Sequence, residues 1–245
     1  ELQLAQALQA DWEIAFEAHQ VQGGYTPDAA SAGKRALANR ALAMLVLSAT
    51  HGGDTVWPGR AYQRFKDAGN MTDRLGALAA LVNAHAELAD AALARFHALF
   101  KHEALVIDKW FALQGRTPER LGKSFARVKQ LMQHPDFTLK NPNRARSLIF
   151  SLCMFNPAAF HRVDAAGYVF WAEQVLALDA INPQVAGRLA RAMDRWSVLA
   201  EPYRSAAREA IARVAAKPDL SGDVREIIER ALASGSAELL LPATE

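Results

Sequence analysis

N-P-N-R-A-R-S-L (Asn141–Leu148) and N-P-Q-V-A-G-R-L (Asn182–Leu189) are two helix openings of the same kind. In each, the Asn side chain can accept hydrogen bonds from N–H groups of the first turn. Pro then stands at the first helical position, where its missing N–H costs nothing and its φ is already helical. The openings begin 41 residues apart (141 to 182), within the period of stacked helix-pair repeats. Each places an arginine, Arg146 or Arg188, about one turn into its helix. The pattern predicts a helical scaffold that presents two arginines from equivalent places and has no complete catalytic constellation of its own.

Outward from this stretch, the chain keeps the helical period. Leu4, Leu8, Trp12 and Phe16 form one stripe and predict a helix over 1–19. Thr26-Pro27 reads as the start of a second helix, running to about Ala49 before the His51-Gly52-Gly53 break. A shorter helix follows over roughly 56–68, and N-M-T-D (Asn70–Asp73) restarts the chain. Helices are expected at about 88–101 and 103–114. The second contains L-V-I-D-K-W-F-A-L-Q (Leu105–Gln114), apolar around most of its circumference and expected to be deeply buried. Thr117-Pro118-Glu119 opens another that ends at His134-Pro135. N-P-A-A-F-H (Asn156–His161) reads as a tight corner with a short helical turn. Helices at about 165–179 and 183–199 follow, Glu201-Pro202 starts one more, and L-S-G-D (Leu220–Asp223) caps a last one ending near Ala233. Residues 1–233 are thus expected to be one helical-repeat domain, with 234–245 a disordered or vector-derived tail. The predicted fold is all-α: a superhelix or α-solenoid of antiparallel helix pairs of the HEAT/armadillo kind, with a compact non-repeating bundle as the alternative.

Composition excludes several function classes. A net charge of +2 over 245 residues, with both signs interspersed, leaves no footprint for nucleic acid. The longest apolar run, Ala41–Ala49, is too short to span a bilayer. The single cysteine, Cys153, lies in an apolar run and reads as an inert buried thiol. Absence of disulfides fits a reducing compartment. The chain starts at Glu1 rather than Met and inside a predicted helix, so a preceding segment is expected.

Catalytic patterns are mostly missing. His102-Glu103 begins an H-E-x-x-H zinc pattern, but position 106 is Val, and His97 lies off the one-turn spacing. No G-x-S-x-G, Walker loop or dinucleotide fingerprint occurs. His161 reads as a hydrogen-bonded corner histidine. Arg144 and Arg146, two apart, cannot share a helix face, and two readings of the arginines stand. In one, Arg144 or Arg146 is solvated and the other pairs with a carboxylate. In the other, Arg146 and Arg188 point into a common concave surface, where a guanidinium fork binds a carboxylate or peptide carbonyls.

The six motifs N-M-T-D, L-V-I-D-K-W-F-A-L-Q, N-P-N-R-A-R-S-L, N-P-A-A-F-H, N-P-Q-V-A-G-R-L and L-S-G-D occur in an order that resembles the C-terminal helical domain of bacterial aminopeptidase N, a gluzincin-type zinc metallopeptidase. The resemblance runs from the first helix to about Ala233. It implies a cytoplasmic bacterial enzyme whose zinc ligands, glutamate base and α-amine subsite all lie in a preceding catalytic domain, so that this chain carries no catalytic or metal residue. It further implies that the helical domain closes over the active site and encloses a cavity for peptide substrates. Positions matching Arg146 and Arg188 line that cavity toward the substrate's C-terminal side. The expected partners are therefore the catalytic domain and peptides, with self-association of the isolated domain through apolar faces. The segment from His51 to Arg64 follows the family pattern only loosely. A free-standing helical-repeat adaptor for a partner protein is the competing expectation; it calls for polar capping helices, which Leu2, Leu4, Leu8 and Trp12 do not supply.

Overall fold

A computed structural model describes residues 1–238, with side chains described through Ala233. Every regular element among the described residues is a helix. The chain divides into two compact units, Glu1–Leu113 and Gln114–Glu245.

The first unit holds α1 (Leu2–Ala7), α2 (Gln9–Ala18), α3 (Ala29–Gly52), α4 (Val56–Asp67), α5 (Met71–Asn83), α6 (Ala89–Phe100) and most of α7 (Ala104–Arg116). Helix α3 is its axis, and α1, α2, α4 and α5 all pack on it. Alanines at 38, 41 and 49 alternate with Leu42, Leu45 and Val46 along the buried faces of α3, which lets several helices approach at once. The predicted helix over 1–19 is two helices, broken at Leu8, where the Trp12 indole N–H donates to the Leu4 carbonyl at 3.3 Å. The cap of α3 is Asp28, whose carboxylate accepts the Ser31 N–H at 2.9 Å; Thr26 lies upstream of the helix, bonded through its hydroxyl to that of Ser31. N-M-T-D restarts the chain as expected, and Asn70 caps α5 by accepting the Asp73 N–H at 2.9 Å. Helix α7 is buried along one stripe only: Ile107, Trp110 and Phe111 point inward, while Leu105 is 69% exposed. The apolar run over-predicted burial because Asp108 and Lys109 already mark an outward side.

The second unit contains the last turn of α7, then α8 (Lys123–Leu131), α9 (Pro142–Ala145), a π-helical turn (Arg146–Phe150), α10 (Ser151–Phe155), α11 (Pro157–Phe160), α12 (Ala166–Asp179), α13 (Pro183–Ala190), α14 (Tyr203–Ala215) and α15 (Gly222–Glu238). Its core is α12, apolar around most of its surface, with Tyr168, Trp171, Ala172, Val175 and Leu178 fully buried. Helices α11, α13 and α14 pack on α12, and α15 packs on α13 and α14. Two indoles act as crossties: Trp171 Nε1 donates to Leu189 O at 3.0 Å, and Trp196 Nε1 to Ala231 O at 2.8 Å.

Three boundaries differ from expectation. Helix α8 starts at Lys123 rather than near Thr117, because Glu119 reaches forward and accepts the N–H groups of Ser124 (3.3 Å) and Phe125 (3.1 Å). The helix predicted over 183–199 stops at Ala190 and continues as two 3₁₀ turns, Arg191–Met193 and Trp196–Val198, which turn the Trp196 ring into the core. Helix α15 runs to Glu238, past the boundary expected at Ala233; the rest of the expected tail, 239–245, lies outside the described residues.

L-S-G-D caps α15 with help from α12. The buried Asp179 carboxylate accepts the Ser221 N–H at 3.0 Å and the Ser221 hydroxyl, and that hydroxyl accepts the Val224 N–H at 3.3 Å. Asp179→Ala removes two charge-assisted bonds and frees the cap, so it is expected to cost about 2–3 kcal/mol. Urea unfolding checks this, the expected result being a lower midpoint at unchanged slope. A loss under about 1 kcal/mol would show the cap to be independent of α12.

Candidate functional site

Both Asn-Pro openings fold as their sequences predict. Asn141 Oδ1 accepts the N–H groups of Asn143 (3.0 Å) and Arg144 (3.3 Å), and Asn182 Oδ1 accepts that of Val185 (3.2 Å). Pro142 and Pro183 each occupy the first helical position. Beyond the caps the two differ. After Ala145 the first helix widens into the π turn Arg146–Phe150 before resuming as α10. Such turns insert one extra residue into a helix and are frequent at functional sites. Gly115 packs against this segment: a Cβ there would meet Ser151 Cβ at 2.8 Å and the Leu148 carbonyl at 2.9 Å.

Arg144 is buried and donates through Nη1 to the Asp136 carbonyl, so it ties α9 to the preceding turn. Arg146 is half-buried. Its Nη1 donates to Asn143 Oδ1 at 3.3 Å, while its Nε is shielded from solvent and has no partner among the described residues. A shielded guanidinium N–H without an acceptor is costly by itself, and an incoming carbonyl or carboxylate would satisfy it. Arg188 is exposed on α13 and forms no hydrogen bond or ion pair with described residues.

The two arginines do not hold the same register. Arg146 lies five residues after its capping Asn and Arg188 six, a difference of about 100° around a helix. The residue of α13 equivalent to Arg146 is Gly187, whose added Cβ would meet Ile227 Cδ1 at 3.2 Å, so that position is a packing contact with α15. Arg146 and Arg188 belong to the same unit but to different helices, and no hydrogen bond joins them.

A third Asn-Pro, Asn156-Pro157, went unrecognised as a structural centre. Asn156 is 3% exposed, and its Oδ1 accepts the Ala159 N–H at 3.4 Å, capping α11. Its Nδ2 donates to the Gly115 carbonyl at 3.2 Å and the Thr117 carbonyl at 2.7 Å, holding the end of α7. Its cap was legible from Asn-Pro; the long-range bonds to residues about 40 positions upstream were not.

The remaining candidates have ordinary surroundings. His102 is exposed in the turn after α6 and Val106 offers no ligand, so H-E-x-x-V does not fit a zinc site. His97 stacks on Trp110, ring centroids 5.0 Å apart. Cys153 is buried, and burial pushes its thiol above the ordinary range, away from thiolate chemistry. His161 Nδ1 lies 2.8 Å from the Tyr168 hydroxyl. Burial holds the imidazole below its usual pKa, while burial, with Tyr203 nearby, pushes the Tyr168 phenol up to about 12. Both are neutral near pH 7, a structural pair at the corner between α11 and α12.

A family model described as "Domain of unknown function (DUF3458_C) ARM repeats" matches residues 1–233. The chain is 39% identical over 213 residues to aminopeptidase N of Caulobacter vibrioides, covering 87% of this chain and 24% of that protein. It is 37% identical over 224 residues to aminopeptidase N of Escherichia coli, covering 91% of this chain and 25% of that protein. Among solved structures it matches Legionella pneumophila aminopeptidase A in complex with aspartic acid, with TM-score 0.83 and 28% identity over 94% of this chain and 27% of that one. The chain thus spans about a quarter of the length of these relatives.

Proposed function

The chain belongs to the DUF3458_C family of ARM-repeat domains, and from that membership we propose that it is the non-catalytic C-terminal domain of a zinc aminopeptidase that removes N-terminal residues from peptides. One observation carries the reading: nearly the whole chain aligns with only about a quarter of each aminopeptidase relative. Zinc and the water it activates belong to the remaining three quarters, since H-E-x-x-V here does not fit the metal. No step of the hydrolysis is assigned to this chain. Its own part is to enclose the active-site cavity, to restrict entry to short or unfolded peptides, and to guide the peptide's C-terminal portion with Arg146 and Arg188. Among the described residues the Nε of Arg146 and the guanidinium of Arg188 have no partner, which supports that role.

The first unit supports a covering neighbour. Leu4 (55% exposed), Leu8 (39%) and Ile14 (67%) leave α1 and α2 with apolar side chains in water. The catalytic domain is the partner we assign to them, and in its absence the same leucines drive self-association at high concentration. No described helix is long and apolar enough to cross a membrane, and we place the enzyme in the bacterial cytoplasm.

The purified 245-residue chain is expected to show no turnover of an aminoacyl chromogenic substrate. Turnover that survives rigorous removal of contaminating peptidase sinks the proposal. In the complete enzyme, Arg146→Ala and Arg188→Ala are expected to raise KM for a tetrapeptide about tenfold, the scale of one charged contact. KM for the chromogenic substrate, which has no C-terminal portion, stays unchanged. Equal effects on both substrates would remove the guiding role.

A further inference from the structure

Arg116, the last residue of α7, is exposed, yet its backbone is held on both sides. The carbonyls of Gly115 and Thr117 both accept from the buried Asn156 side chain, and Gly115 packs against Ser151 and the Leu148 carbonyl. From this position the Arg116 Nε donates to Ser151 Oγ at 3.3 Å, and the guanidinium lies over the Phe155 ring, 4.4 Å from its centroid. Ser151 is buried beneath it, while Phe155 is 57% exposed and its neighbour Met154 41%.

Arg146 stands one turn earlier on the same continuous helix. A π turn pairs residue i with i+5, so Ser151 follows Arg146 by one turn, and Phe155 follows Ser151 by one α turn. Burial agrees with this register. Of residues 144–153 only Arg146 and Ser147 are not buried, and the open side resumes at Met154 and Phe155. Arg146, Arg116 and Phe155 therefore succeed one another along one strip of the second unit.

Arginines lie over rings elsewhere in this protein, but their charge is answered. Arg60, Arg64 and Arg162 each pair with a carboxylate, and Arg35 and Arg74 donate to main-chain carbonyls. The rings of Phe16, Trp57, Phe65 and Phe125 beneath them are also buried. Arg116 has neither a carboxylate nor a carbonyl partner among the described residues, and its ring is open to water. With Nε committed to Ser151, the two Nη groups remain to receive a carboxylate end-on, two N–H groups to two oxygens. Because the guanidinium is already held in place, binding costs it little freedom. Beside it, Phe155 and Met154 offer an apolar surface suited to a ring. A carboxylate and an apolar side chain meet on one residue at the C-terminus of a peptide.

We propose that Arg116 and Phe155 form a subsite for the C-terminal residue of a peptide ending in an aromatic or large apolar side chain: Arg116 binds the carboxylate and Phe155 the side chain. The inference rests on the peptide-guiding reading of Arg146. The Arg146 Nε then takes a main-chain carbonyl about two residues upstream, since five residues of helix rise roughly 7 Å and extended peptide advances about 3.3 Å per residue.

The test is an NMR titration of the 245-residue chain with Ala-Ala-Ala-Phe, its C-terminal amide and Ala-Ala-Ala-Ala. Ala-Ala-Ala-Phe is expected to bind about tenfold tighter than either of the others, the scale of one charge-assisted or one aromatic contact, and to move the Arg116 Nε–H resonance. Arg116→Gln should erase the preference for acid over amide, and Phe155→Ser the preference for Phe over Ala. Both side chains are at the surface, and circular dichroism checks that the variants keep the fold. Equal affinity for all three peptides, or preferences that persist in the two variants, overturns the subsite; if Arg146→Ala still weakens all three, the guiding role stands without it. Binding of none of the three removes both.

Discussion

Gly167→Ala is expected to lower stability by about 3 kcal/mol or more, the cost of forcing a methyl group into packed backbone. A Cβ at this position would stand 1.9 Å from the Phe160 carbonyl oxygen, 2.8 Å from its carbon and 3.0 Å from its Cα. All three are main-chain atoms of α11, so no rotamer change relieves the clash. The helices must separate, and with them go the His161–Tyr168 bond and the T-shaped contact of Phe160 on Tyr168, ring centroids 5.4 Å apart. At about 2–4 °C per kcal/mol for a chain of this size, the thermal midpoint followed by circular dichroism should fall by roughly 6–12 °C. Gly59→Ala is the control: it lies within α4 with nothing within 4 Å of the added atom, so helix propensity makes it neutral or stabilising by up to about 1 kcal/mol. A Gly167→Ala midpoint within about 2 °C of the parent would refute the close approach.

Asn156 carries the second large effect. Asn156→Ala removes the α11 cap and both donors to the end of α7, leaving the Gly115 and Thr117 carbonyls buried without that partner; the expected loss is about 3 kcal/mol. Asn156→Asp separates the two roles, because a carboxylate still caps but turns an acceptor toward two carbonyls. The charged form is then disfavoured in the folded state, so the folded pKa lies above the unfolded carboxylate value of about 3.9. A group whose pKa rises on folding stabilises below the unfolded pKa and loses that contribution as pH climbs through the folded one. The Asp variant should therefore unfold progressively more easily from about pH 4 upward, while the Ala variant follows the parent's pH profile with a constant offset. Urea midpoints across that range measure the difference, and parallel Asp and parent profiles would mean the side chain donates nothing.

Local signals were legible at most helix starts, the Thr26-Pro27 start being the exception because Asp28 supplies the cap of α3. Asn70, Asn141, Asn182 and Ser221 all cap the helices their motifs announce, because capping depends on a short polar chain and the first turn alone. Illegible were the places where distant residues decide. Nothing near Thr117 reveals that Glu119 will reach forward and delay α8, and nothing near Ala190 reveals that Trp196 will bend the chain toward Ala231. The arginines divide the same way. Their presence near two helix starts is a sequence fact, but burial of Arg144, the shielded Nε of Arg146 and the exposure of Arg188 depend on neighbours that folding supplies.

The widened turn at Arg146–Phe150 has a consequence for how this protein can change over time. It joins two ends with separate obligations, Arg146 on one side and, on the other, Ser151 against Gly115 with Asn156 just beyond. One surplus residue lets each end keep its own rotational setting, like a slipping joint between two fixed dials. Trimming that residue would close the turn to ordinary α geometry and re-aim the side chains within it, Arg146 among them. The segment can therefore drift in side-chain identity far more freely than in length.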